Sequence, residues 1–97
     1  MIIKQSISND ELRVKIFKAL ADENRLAIVR ILHEHHDEMD YATLADSIGV
    51  GKSTVSYHFK IMRESGLITI SRHGQAKSIK LNKVVFDGVM PGFLDSL

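Results

Sequence analysis

A mainly helical domain closed by a small β-hairpin is the fold class this sequence predicts, and three observations predict it. Apolar residues recur at helical spacing in successive segments up to residue 64. The period then falls to two over residues 68–82. A polar stretch carrying a glycine, Arg72-His73-Gly74-Gln75-Ala76-Lys77, divides that second region as a hairpin tip would. The 97 residues allow a single domain, here 1–97. So short a chain buries a modest fraction of its surface, and association would add to a thin margin of stability.

The first helix is expected from about residue 9. The run Ser8-Asn9-Asp10-Glu11 offers a capping side chain and acids for a first turn, and Leu12, Ile16, Phe17 and Leu20 line one face. Asp22 and Glu23 open a second helix, whose Leu26, Ile28, Val29, Ile31 and Leu32 make a broad buried stripe. That stripe fades in the polar run 33–38. Tyr41 to Ile48 reads as a short third helix with Leu44, Ala45 and Ile48 inward, and Gly49 suits the left-handed position that ends it.

A fourth helix is expected from about Lys52 to Glu64. At about 100° per residue, Val55, Phe59 and Met62 share a narrow arc facing the core. Ser53, Tyr57, Lys60 and Glu64 lie opposite, flanked by Thr54 and Ser56. Ser65-Gly66 ends the helix. Ile68 and Ile70 then alternate with Thr69 and Ser71, and Ile79 and Leu81 with Ser78, Lys80 and Asn82, which predicts a two-stranded ribbon with a basic tip. In the tail, Val85, Phe86, Val89, Met90, Phe93, Leu94 and Leu97 form a helix-like stripe. Gly88, Pro91 and Gly92 interrupt it, so one short or broken helix is expected.

Composition excludes several classes. With no cysteine, disulfides, thiolate metal sites and cysteine nucleophiles are absent, as suits a reducing compartment. No apolar run approaches the roughly 18 residues needed to span a bilayer, and Met-Ile-Ile-Lys-Gln-Ser lacks a basic leader and a long apolar region. The expectation is a soluble, cytoplasmic protein with no membrane partner. Its formal charge of +1 hides an asymmetry. Residues 1–50 carry six bases against nine acids, whereas residues 51–83 carry seven bases and only Glu64. A basic segment in a near-neutral protein points to one surface that meets a polyanion.

Two short helices joined by a glycine-containing turn, followed directly by a hairpin, form a helix-turn-helix with a wing. The physics suits double-stranded DNA. Short Ser and Thr hydroxyls at the start of the fourth helix permit close approach to base edges or phosphates, and free amides there favour a phosphate. Arg72 and Lys77 can reach the backbone or minor groove alongside.

Two segments, FKALADENRLAIVRIL (17–32) and STVSYHFKIMRESGLI (53–68), followed by the Arg72–Lys77 tip, resemble the ArsR family of bacterial winged-helix repressors, over about residues 12–82. The resemblance implies a homodimer joined through its first and last helices (9–20 and 83–97), a helix-turn-helix at 41–64 and a wing at 67–82. It implies further that the fourth helix reads an imperfect palindrome and that an unidentified effector lowers DNA affinity. Carried over by position, Lys52, Ser53, Thr54, Ser56, Tyr57, His58 and Lys60 are candidate DNA-binding residues in the recognition segment, with Arg72 and Lys77 in the wing. His58 lies nearer the core arc than the groove arc, so orientation or packing competes with phosphate contact for its role.

Many members of that family sense metals through a cysteine pair near the third helix, where this chain has Asp40 and Ala42. Others use acids and histidines on the last helix, where this chain offers only Asp87 and Asp95. Neither site transfers, and no cofactor is expected. His33, His35 and His36, with Glu34, Asp37 and Glu38, have ligand chemistry for zinc or nickel, but a polar helix end, where imidazolium meets the C-terminal dipole, is the preferred reading. Gly49-Val50-Gly51-Lys52-Ser53-Thr54 imitates a phosphate-binding loop, yet Asp46 occupies the place of its first glycine. No catalytic constellation is present. The rival to a DNA-binding regulator is a winged-helix module that binds protein instead. The tail stripe is expected to form a dimer seam, because exposed Phe86, Phe93 and Leu97 would otherwise make a costly patch.

Overall fold

The computed structural model describes residues 2–97, with side chains from Asn9 onward. Helix α1 runs Ile2–Leu20 and α2 Glu23–Glu34; a short strand β1, Glu38–Asp40, leads into α3, Tyr41–Ile48. After the turn come α4, Lys52–Glu64, the hairpin strands β2, Ile68–His73, and β3, Ala76–Leu81, and finally α5, Lys83–Val89, with a 3₁₀ turn at Leu94–Ser96. The sheet is antiparallel in the order β1-β3-β2. Ile16, Ile28, Leu32, Leu44, Phe59, Met62, Ile79 and Phe86 are all buried, so every element contributes to one core.

Four expectations need correction. The first helix does not begin at residue 8 or 9: its backbone is already helical at Ile2, and 8–11 is helix interior. No glycine or proline breaks residues 2–20, so nothing stops the helix from extending. Its buried face is Ile16, Ala19 and Leu20; Leu12 and Phe17 lie half-exposed beside Val14. The ribbon is three-stranded because β1 pairs with β3, Glu38 opposite Lys80 and Met39 opposite Ile79. The tail, too, packs inward. Phe86 is fully buried, Leu94 nearly so, and Phe93 stacks on Phe86 at 6.0 Å. The stripe breaks where expected, with α5 ending before Pro91.

Local chemistry fixes the joints. Asp22 caps α2 by accepting from the Arg25 amide at 3.0 Å, and Asp40 caps α3 by accepting from the Thr43 amide at 3.0 Å. Gly49 ends α3 at φ +78°, where a side chain would be strained. After α2, His36 and Asp37 both take positive φ without being glycine. They are held by Asp37 N–H donating to the Leu32 carbonyl at 2.8 Å and by the His33 ring donating to the Asp37 carboxylate at 2.7 Å.

Because Phe86 is enclosed by the chain's own core, Phe86→Ala is expected to cost about 3–5 kcal/mol in urea unfolding. Gln75→Ala, at an exposed position of the hairpin turn, should stay within about 0.5 kcal/mol of the parent. Equal effects would mean that the tail is not part of the core.

Candidate nucleic-acid interface

Helix α4 is gripped on one side and bare on the other. Val55, Phe59 and Met62 are buried, one or two turns apart, against α1, α2, α3 and the sheet. Ser53, Thr54, Ser56, Tyr57 and Lys60 are exposed, Tyr57 to 57%. Lys52 is exposed at the helix start. The residue before α4 is Gly51, which offers no side-chain cap, so the first amides of the helix have no side-chain acceptor.

His58 stands apart from this face. It is only 5% exposed, and the Arg25 guanidinium donates to its Nδ1 at 3.0 Å. A guanidinium has no lone pair to offer, so Nδ1 must accept and the ring proton sits on Nε2. The Arg25 Nε–H also donates to the Ala19 carbonyl at 2.6 Å, so one side chain joins the end of α1, the start of α2 and the middle of α4. The Arg25 backbone amide holds the Asp22 carboxyl below its usual range; burial opposes this and the Arg25 charge assists it. His58 therefore leaves the surface set and becomes an orienting residue.

The hairpin adds charge to one flank of α4. Side chains on a strand alternate faces, and the register pairs Ile70 with Ile79 and Arg72 with Lys77. Arg72 and Lys77 thus continue the ribbon's core face beyond the core's edge, overhanging α4. They lie within the strands, and the turn itself is shorter than expected, Gly74-Gln75 with Gly74 at φ +64°. The Lys77 ammonium sits 4.2 Å above the Tyr41 ring, and Tyr41 meets Phe59 edge-on at 5.0 Å. Between wing and helix lies a groove of about 320 Å³ lined by Ser56, Lys60, Arg63, Arg72 and Lys77. Arg63 was not among the sequence candidates. Its signal was there: it lies seven residues after Ser56, two turns along the same stripe.

The histidine-rich end of α2 is structural. His33 bonds Asp37, and Lys83 reaches the other oxygen of Asp37 at 3.7 Å, tying α2 to α5. The His35 ring donates to the Ile31 carbonyl at 2.8 Å. Among the described residues, no three His, Asp or Glu side chains converge in a way that would hold a metal ion.

Comparison with known proteins places this geometry. Residues 20–71 match a helix-turn-helix domain family. An HTH-type transcriptional regulator of Bacillus subtilis, YceK, is 40% identical over 97 residues, which is 100% of this chain and 95% of the relative. The chain belongs to the ArsR family of winged-helix transcriptional regulators. The arsenical resistance operon repressor of Escherichia coli is 36% identical over 64 residues, 66% of this chain and 54% of that protein. A solved ArsR family regulator superposes with a TM-score of 0.73 at 23% identity over 90% of this chain and 88% of its own. The repressor PagR of Bacillus anthracis gives 0.71 at 24%, over 86% and 93%. Both share the fold. The protein is accordingly a DNA-binding transcriptional regulator, and membership of the ArsR family supports the role of repressor. None of its helices is long and apolar enough to cross a membrane, among the described residues.

Arg25→Met should leave His58 Nδ1 and the Ala19 carbonyl without a donor, costing about 1–3 kcal/mol in urea unfolding. Asp22→Ala should cost about 1 kcal/mol near neutral pH. Because the folded carboxyl titrates below its unfolded value, this contribution is present above the usual carboxylate range and lost as pH falls through the folded value. The parent and Asp22→Ala curves should therefore converge in acid; a constant gap would deny the Asp22 charge its part.

Proposed function

We propose that the protein is a homodimeric repressor that lays α4 of each protomer in successive major grooves of an imperfect palindromic operator. The observation that carries this reading is the bare hydroxyl-bearing start of α4 beside a cationic groove. Lys52 and the uncapped amides seat a phosphate; Ser53, Thr54, Ser56 and Tyr57 approach base edges. Lys60, Arg63, Arg72 and Lys77 neutralise backbone charge alongside. Residues 41–64 act as the helix-turn-helix and 67–82 as the wing.

The dimer seam we assign to segments 9–20 and 83–97. Support comes from Val14 and Phe17, apolar side chains about half-exposed and three residues apart on one face of α1, which association would remove from water. With Phe86 and Leu94 spent in the core, the tail's part in such a seam falls to Val84 and Leu97. An effector of unidentified chemistry releases the operator, and the protein works in the cytoplasm.

Selection from random duplexes, followed by a salt titration of the winning sequence, tests the reading. Arg72→Ala with Lys77→Ala removes four charges from the dimer, so it should weaken binding to every duplex and make the log–log salt slope shallower by about 4. Ser53→Ala or Tyr57→Ala should change which sequence is preferred. Absence of any salt-sensitive duplex binding would favour a protein-binding module instead. Phe17→Glu should split the dimer in sedimentation; an unaltered dimer would move the seam elsewhere.

A further inference from the structure

Counted along the chain, the bases before residue 50 are outnumbered by acids, yet folding moves three of them beside α4. Lys15 and Lys18 of α1 and Arg25 of α2 line a second groove, about 360 Å³, on the flank of α4 away from the wing. On α4 that groove is bordered by Tyr57, Ile61 and Glu64, a stripe at spacings of four and three. The wing-side groove uses the neighbouring stripe, Ser56, Lys60 and Arg63. The exposed face of α4 therefore runs between two cationic banks.

The two banks are built differently. Arg25 is committed to the Ala19 carbonyl and His58, which fixes its charge in place. Lys15 and Lys18 are exposed, and among the described residues no carboxylate lies within ion-pair distance of either. Three residues apart, they lie on adjacent turns of one flank of α1. Phe17 lies about 160° round the helix from Lys15 and about 100° from Lys18, so a seam centred on Phe17 leaves Lys15 clear and passes beside Lys18, next to Val14. The acid of this groove, Glu64, sits in the last turn of α4, away from the helix start that enters the DNA.

A major groove has a phosphate backbone along each of its two edges, about 12 Å apart. A helix lying between them meets negative charge on both flanks, whereas a wing serves only one. We propose that Lys15 and Lys18 form a second phosphate-binding row, which takes the DNA backbone on the far side of α4 from the wing. This rests on the proposed docking of α4 in the major groove. The row binds without regard to base sequence, sets the tilt of α4 between the two strands, and gives the outer face of the dimerisation helix a direct part in DNA affinity. Glu64 acts against it, trimming the attraction at the end of the row.

The test uses the full chain and the duplex chosen by selection, titrated in potassium chloride. Lys15→Ala with Lys18→Ala, four charges per dimer, should weaken binding to specific and scrambled duplexes alike and make the salt slope shallower by about 4. The order of sequence preference should be retained. Glu64→Gln should tighten binding and leave that order intact. Both lysines are exposed, so sedimentation and thermal melting should match the parent and exclude a folding or dimer defect. A parent-like slope in the double variant, with Arg72→Ala/Lys77→Ala still reducing it, would overturn this inference and leave the major-groove reading standing. A parent protein that binds no duplex would overturn both.

Discussion

A helix that offers one face to another molecule must be held by the other face, and in this protein the constraint falls on thirteen residues, Lys52–Glu64. Val55, Phe59 and Met62 supply the apolar grip. Apolar contacts alone allow a helix to roll or slide, because dispersion has little directional preference. The Arg25 to His58 hydrogen bond adds direction. It anchors the helix at one point to a guanidinium that is itself fixed to the end of α1. A buried imidazole that takes its hydrogen bond from a donor-only partner has one tautomer and one ring orientation, so the position is defined as well as stable.

The wing obeys the same logic. A two-stranded hairpin alone is marginal in water. Here β1 pairs on its far edge, Ile68, Ile79 and Leu81 are buried beneath it, and Tyr41 joins it to the helix-turn-helix through Phe59 on one side and Lys77 on the other. Arg72 and Lys77 inherit their position from the strand alternation that buries the isoleucines. Charge and core are thus consecutive positions on one face, and the cationic groove is a consequence of the register.

Much of this was legible in the sequence, for a physical reason. A long amphipathic helix with bulky residues on one arc and hydroxyls on the other declares both its faces, and α4 does so. The two-period pattern of 68–71 and 78–82 declared the hairpin in the same way. What stayed hidden depended on contacts distant in sequence. Strand β1 has three residues, too few for an alternation to register. Leu12 and Phe17 share the hydrophobicity of Ile16 and Leu20, and only the placement of α2 and α4 decides which of the four are covered. Phe86 looked like a seam residue because nothing local says that the tail folds back, its Phe86 and Leu94 entering a core that α1 to β3 build. Lys15, Lys18 and Arg25 were submerged in an acidic half because charge was counted along the chain, whereas a polyanion meets charge as it is arranged in space.

The central claim is that the uncovered face of α4 is the surface that meets DNA. Amide chemical shifts followed by NMR during titration with a selected duplex test it most directly. The largest changes should cluster at residues 52–60 and 72–77, with the core of α2 at Ile28–Leu32 and the α5 segment little moved. Changes concentrated on α5 and the tail, with the amides of α4 silent, would contradict it.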